Sequence, residues 1–250
     1  MESMKDKVVI ITGGGAGIGL AAARSFLAGG ARVLITGRRQ AALDAVTTAA
    51  PNLAGLVADA GVPADAKRTV SYAVELWNRL DVLVNNAGAG APLPLVESEI
   101  DRLRSIYAVN VVGPTLLAAE AIPHLSTSGG AIVNVSSTLA QKPVSGFSAY
   151  AASKAALEQL TRCWALELAP RGIRVNAVAA GPVETAFLEE RMGYAHEAAE
   201  AVRSAERKQI PLGRRGEPAD VAAWIVALAS STAGWITGQV VGVDGGYVLV

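Results

Sequence analysis

Tyr150 and Lys154 stand four positions apart, which puts both side chains on one face of a helix, one turn from each other. A phenol is a poor proton donor or base near neutral pH, because its pKa is ordinarily about 10. An ammonium beside it favours the phenolate and lowers that value, so such a pair can move a proton. The same ammonium can hold a sugar hydroxyl. Ser136-Ser137 closes an apolar run upstream of Tyr150. A strand-end hydroxyl there would bind a carbonyl oxygen while Tyr150 delivers the proton. Asn110 lies in a long apolar stretch. Buried in a helix, its amide needs partners, and a water-linked chain to Lys154 would supply them.

A second set of residues is suited to phosphate. Thr12-Gly13-Gly14-Gly15-Ala16-Gly17-Ile18-Gly19 falls between an expected strand and an expected helix. Glycines there allow a tight turn and bring backbone amides to a diphosphate at the helix N-terminus. The run lacks the Lys and Ser/Thr of a nucleoside-triphosphate loop. The next strand ends in Thr36-Gly37-Arg38-Arg39. A carboxylate at that place would accept both ribose hydroxyls of NAD, whereas arginine pairs with the 2′-phosphate of NADP. Arg38 and Arg39 therefore favour NADP(H), with NAD(H) the other possibility. Asp59, with Ala60 after it, is placed to meet an adenine edge. Asn85-Asn86-Ala87-Gly88 follows a fourth strand and can close the cleft through side-chain bonds.

The apolar pattern supplies a frame for these groups. Short β-branched runs at Val8–Thr12, Arg32–Thr36, Leu53–Ala58, Val82–Asn85, Ala131–Ser136, Val175–Val178 and Val240–Asp244 read as buried strands. Helical stretches separate them: Ile18–Ala28, Leu43–Ala49, Ala64–Leu80, Ile100–Leu125 with a bend at Gly113-Pro114, Tyr150–Ala169 and Ala219–Ala229. The alternation predicts an α/β fold with a mostly parallel sheet covered on both faces. No linker or repeat interrupts it, so residues 1–250 read as one domain. The stretch 184–215 has no strand and is expected to be a flap over the crevice at the strand ends.

Composition narrows the function classes. The chain has 250 residues, 51% of them apolar, which argues against disorder. Lys plus Arg and Asp plus Glu are both 22, and this balance supports neither a nucleic-acid nor an acidic-membrane surface. Its single cysteine, Cys163, excludes an internal disulfide and reads as a small buried apolar residue. Two scattered histidines suggest no metal site; His196 reads as a surface residue. The apolar runs are cut by charge, Gly or Pro, so no membrane span is expected and the location is read as cytoplasmic.

Taken in order, these motifs closely resemble the short-chain dehydrogenase/reductase family over nearly the whole chain. Thr12 to Gly19 resembles the family's coenzyme glycine motif, Asp59 its adenine-ring aspartate, and Asn85 to Gly88 its central structural motif. Asn110, Ser137, Tyr150 and Lys154 resemble its catalytic tetrad. Arg174 to Asn176 resembles the strand leading to the nicotinamide loop, and Val243-Asp244-Gly245-Gly246 the C-terminal signature. The resemblance implies a Rossmann-type, doubly wound, seven-stranded parallel sheet and a homotetramer or homodimer. It implies that Ser137 polarises the substrate oxygen, Tyr150 is acid and base, Lys154 lowers its pKa and binds ribose, and Asn110 holds a relay water. It also implies cofactor contacts from Gly13, Gly15, Ala16, Gly17, Ile18, Gly19, Asn86, Ala87, Gly88, Gly181, Val183 and Thr185. Two departures stand out. Ala180-Gly181-Pro182 replaces the usual Pro-Gly, and the glycine motif lacks a basic residue.

Substrate contacts are expected from 139–147, from 90–95 and after Val183, with Leu139, Phe147 and Phe187 lining an apolar pocket for an alcohol or ketone. The intact tetrad weighs against a catalytically silent nucleotide-binding regulatory protein. An epimerase or dehalogenating lyase on the same fold is the other alternative.

Overall fold

A computed structural model describes residues 4–48, 50–190 and 192–250. Seven strands form one parallel sheet: β1 Val8–Thr12, β2 Arg32–Gly37, β3 Leu53–Val57, β4 Val82–Asn85, β5 Ala131–Ser137, β6 Arg174–Ala180 and β7 Val240–Val243. Their order is β3-β2-β1-β4-β5-β6-β7. Ile10 faces Leu34 on one side and Leu83 on the other, so the winding direction reverses between β1 and β4. In such sheets ligands bind beyond the carboxyl ends of the strands at that reversal. The glycine turn, Arg38, Asp59, Asn86 and Ser137 all follow those ends.

Alternate residues of the central strands serve two cores, because strand side chains point to opposite faces. Val9, Ile11, Val33 and Ile35 face α1 Gly17–Ala28 and α9 Pro218–Ala229. Val8, Ile10, Leu34 and Leu83 face α3 Pro63–Trp77, α5 Gly113–Ser128 and α6 Ser148–Leu168. α2 Gln40–Thr47 covers the β3 edge through Leu43; Ala49, at the expected end of that helix, lies outside the described residues.

The long helix differs from expectation. α4 Ile100–Tyr107 passes into a π-helical turn, Ala108–Val112, and only then into α5. The irregularity thus precedes Gly113-Pro114: Pro114 has no N–H to meet the Asn110 carbonyl. A Cβ on Gly113 would run into the Ala60 carbonyl. By length and a mean hydropathy of 1.4 the run Ile100–Ser128 could also pass as a membrane span, which the reading of isolated apolar runs did not register. Here Leu117, Ala118, Ala121 and Leu125 pack into the sheet core instead. Cys163 is half-exposed rather than buried, because its place on α6 faces away from the sheet. Within the expected flap lie α7 Phe187–Glu190 and α8 His196–Gln209.

Candidate active site

At the phosphate end, Gly13 and Gly17 adopt φ of 66° and 52°, the left-handed region that favours glycine. A Cβ on Gly19 would strike the Gly13 carbonyl, and one on Gly14 would strike Ile35; Gly15 has ordinary space. α1 begins behind Ala16 with no side-chain cap and no acidic residue in its first turn, so its amides are left for an anion. The turn is clamped from β4. The Thr12 hydroxyl accepts from the amides of Asn86 and Ala87 at 3.0 and 2.9 Å. The Asn86 side chain donates to the Thr12 and Gly13 carbonyls at 2.8 and 3.2 Å.

Beyond β2 the two arginines part company. Arg38 is loosely paired, its Nη1 4.0 Å from Asp59. Arg39 forks onto Glu190 of α7, at 2.9 Å for the shorter contact, so one of the two arginines expected to meet a phosphate is engaged by the flap. Asp59 accepts from the Gly61 amide at 2.8 Å and, with Ala60, Thr12, Thr36 and Ala87, borders a small cavity beside the turn.

At the reacting end, α6 carries Tyr150, Ser153 and Lys154 into the interior, all buried. Burial pushes the Tyr150 phenol up to about 12, opposed by a hydrogen bond with the Ser137 hydroxyl. Burial draws Lys154 down to about 8, opposed by the charge of Glu158. Lys154 Nζ donates to the Val135 carbonyl at 2.8 Å and lies 5.9 Å from the Tyr150 ring centre. The pair is close, as its spacing suggested, but the expected lowering of the phenol pKa is absent. Desolvation outweighs an ammonium that is bonded elsewhere.

Asn110 is fully buried in the π-helical turn, and its side chain is spent on structure. Its Nδ2 donates to the Ala89 carbonyl at 2.8 Å and to Ser153 Oγ at 2.9 Å, while Oδ1 accepts from the Ala89 amide at 2.9 Å. Its direct side-chain partners are thus Ala89 and Ser153. The Asn110 carbonyl cannot receive the usual i+4 amide, because residue 114 is proline.

Tyr150 has an apolar wall. The Phe187 ring centre is 6.2 Å from that of Tyr150. A Cβ on Gly90 would stand 3.0 Å from both the Tyr150 ring and Met192. Leu139 and Phe147 are half-buried on the adjoining loop, and the Leu139 amide donates to Ser137 Oγ at 3.2 Å. On the loop after β6, Gly181 is pressed against Asp244 and Val183 is buried. The Thr185 methyl comes to 3.2 Å from where a Gly17 Cβ would sit. Glycine turn, Gly88, Lys154 and Thr185 thus surround one groove. A Gly88 Cβ would stand in ordinary contact, 3.7 Å from Lys154 Nζ and 3.9 Å from Phe187. An uncapped helix start at one end and a buried Tyr–Ser–Lys set at the other fit a nicotinamide dinucleotide.

Sequence reasoning passed over Ser153, although it sits between Tyr150 and Lys154, and over Glu190, whose partner is 151 residues away. A cleft of about 580 Å³ lies at the opposite ends of the strands around Asp81, Arg174 and Trp235. It is distant from this chemistry.

Comparison with known proteins agrees with this geometry. A family model described as enoyl-(acyl carrier protein) reductase matches residues 13–248. A 3-oxoacyl-[acyl-carrier-protein] reductase of Thermotoga maritima is 38% identical over 98% of this chain and 99% of its own. The human dehydrogenase/reductase SDR family member 4 is 36% identical over 98% of this chain and 88% of its own. Among solved structures, the 3-ketoacyl-(acyl-carrier-protein) reductase of Brucella melitensis complexed with NADH is 34% identical with a TM-score of 0.91, covering 98% of this chain and 100% of that one. A Caenorhabditis elegans short-chain dehydrogenase/reductase of unknown function, with cofactor, gives 0.93 at 34% identity, over 99% and 97%. Three of these descriptions name reductases of acyl-carrier-protein substrates, and the other two name a dehydrogenase/reductase without a substrate. By sequence, by the parallel seven-stranded fold and by the residues gathered at its strand ends, the chain belongs to the short-chain dehydrogenase/reductase family of oxidoreductases.

Proposed function

We propose that this chain is an NADP(H)-preferring oxidoreductase acting on a small alcohol or ketone with an apolar face, with Asn110, Ser137, Tyr150 and Lys154 as its reacting set. The observation that carries the reading is the buried Tyr150 phenol sharing a hydrogen bond with Ser137 beside Lys154. A nicotinamide bound there would supply the hydride to a ketone or accept it from an alcohol. Ser137 Oγ holds the substrate oxygen, and Tyr150 gives that oxygen its proton or removes it. Lys154 turns its ammonium to a ribose hydroxyl and, once nearer the phenol, favours the phenolate. The Asn110 carbonyl holds a relay water behind Lys154, a main-chain role in place of the side-chain one. Gly13, Gly15, Ala16, Gly17, Ile18 and Gly19 present amides to the diphosphate, Asp59 and Ala60 meet adenine, and Asn86, Ala87 and Gly88 flank the ribose. Gly181, Val183 and Thr185 receive the carboxamide, while Leu139, Phe147 and Phe187 contact substrate.

NADP(H) rests on Arg38 and on the absence of a carboxylate at the end of β2, with Arg39 available once Glu190 releases it. Exposed apolar side chains on the helical faces, Leu166 at 80% and Trp224 at 47%, support a homodimer or homotetramer. Zero formal net charge supports a cytoplasmic enzyme without nucleic-acid or membrane partners. The test is reduced-cofactor absorbance against a panel of ketones and alcohols, with wild type and Tyr150→Phe. Turnover by wild type and its loss in Tyr150→Phe, with cofactor affinity kept, are expected. Substantial activity in Tyr150→Phe would remove the assigned role.

A further inference from the structure

Behind the loop that follows β6 lies a buried ionic cluster that the reaction itself does not use. Arg215, with a side chain only 4% exposed, donates from Nη2 to the Val183 carbonyl at 2.7 Å. Its Nε and Nη1 meet Glu206 and Glu184 as ion pairs at 3.2 and 3.5 Å, without aligned hydrogen bonds. Arg203 of α8, 9% exposed, donates from Nη2 to the Thr185 carbonyl at 3.3 Å and to Glu189 at 2.7 Å. It also pairs with Glu200 at 2.6 Å and with Glu184 at 3.7 Å. Arg207 closes the ring onto Glu184 at 3.0 Å. The backbone follows the same path: Glu184 N donates to the Gly216 carbonyl at 2.8 Å and Gly216 N to the Pro182 carbonyl at 2.9 Å. Residues 182–185 are therefore held from behind by two guanidinium groups and a short parallel bridge.

Burying such charges is a poor way to hold a flap down. Desolvation offsets most of the attraction, and apolar side chains of similar volume commonly stabilise as well or better. What a forked guanidinium adds is direction, because it fixes a carbonyl to a narrow range of orientations.

We infer that Arg215 and Arg203 are positioning residues for the nicotinamide end of the cofactor: by holding the Val183 and Thr185 carbonyls they set which groups of the loop face the groove, and through Glu206 and Glu184 they tie that setting to the seat of α8. This deepens the proposed function and rests on its reading of the β6 loop as the carboxamide site. The Arg215 contacts run to Val183, Glu184 and Glu206 and include neither Arg39 nor Glu190, so the two ends of the cofactor should respond differently when they are broken.

The experiment compares wild type, Arg215→Met, Arg215→Lys, Glu206→Gln and the double variant Arg215→Met/Glu206→Gln as full chains. Each is titrated calorimetrically with reduced cofactor and with ADP-ribose 2′-phosphate, which has no nicotinamide, and is then assayed for kcat and KM. Arg215→Met is expected to bind the whole cofactor about tenfold more weakly and to lose kcat by a similar factor, while ADP-ribose 2′-phosphate binds as before. Arg215→Lys should recover only part of the loss. Glu206→Gln should weaken the whole cofactor by less, and the double variant should fall no further than Arg215→Met. Equal losses for both ligands, or none, would overturn the positioning role. Additive losses in the double variant would overturn the tie to α8. Should Arg215→Met fail to fold, the same comparison of the two ligands in Glu206→Gln decides the question. Failure of the wild-type chain to bind either ligand would instead overturn the functional reading beneath it.

Discussion

Lys154 lies between two opposing influences: burial draws its amine down to about 8, and Glu158, one turn further along α6, favours the charged form. Below that pH the ammonium is present for the proposed bond to a ribose hydroxyl; above it the charge is lost. Reduced-cofactor affinity, followed by fluorescence, should be level up to about pH 7 and fall through pH 8; an affinity level to pH 10 would contradict the ribose role. The stability profile has the opposite sign. An amine whose pKa drops on folding from 10.5 to about 8 is protonated in the unfolded chain but not the folded one between those values, so stability should rise with pH there. Tyr150, raised from 10.0 to about 12, reverses this at higher pH, because the folded chain retains a proton that the unfolded one has lost. Urea midpoints against pH would show the rise, and Lys154→Met should abolish it. Spacing put Tyr150 and Lys154 on one helix face, and the family resemblance added Ser137 to them. The hydrogen-bond target of Lys154 was not legible, since Val135 presents a carbonyl, and backbone groups carry no sequence signal.

At the scale of elements, the sheet and its covering helices were legible because strands buried on both faces read as unbroken apolar runs. Strand ends moved by one or two residues, as for β6, which reaches Ala180. The π-helical turn was not legible, because it arises where Pro114 withholds an N–H and Gly113 abuts Ala60, a contact made only in the fold. Replacing Gly113 with Ala should cost about 3 kcal/mol by overpacking, measured by chemical denaturation; an unchanged midpoint would mean the helix shifts freely. The link between α7 and the end of β2 is likewise tertiary. On the proposed NADP(H) reading Glu190 would compete with a 2′-phosphate for Arg39, so Glu190→Gln should raise NADP(H) affinity relative to NAD(H), whereas a neutral residue at 38 should lower it. Identical ratios in both variants would remove both arginines from cofactor choice.

For the molecule as a whole, stability is concentrated where the first and last helices meet. Phe26 of α1 is fully buried with Val221, Ala222 and Ile225 of α9 over the β1 side of the sheet. Phe26→Ala should cost about 3–5 kcal/mol, read as a shift in denaturant midpoint; a loss below about 1 kcal/mol would place the main core elsewhere. During synthesis this arrangement has a further consequence. β1 emerges early, yet its partner β4 starts at Val82 and the cover for its helix starts at Pro218. The nascent chain must therefore carry a bare apolar surface until Pro218–Ala229 has been made. A ribosome stalled before residue 218 would display Phe26 to chaperones and proteases, and release of the last helix would end that exposure.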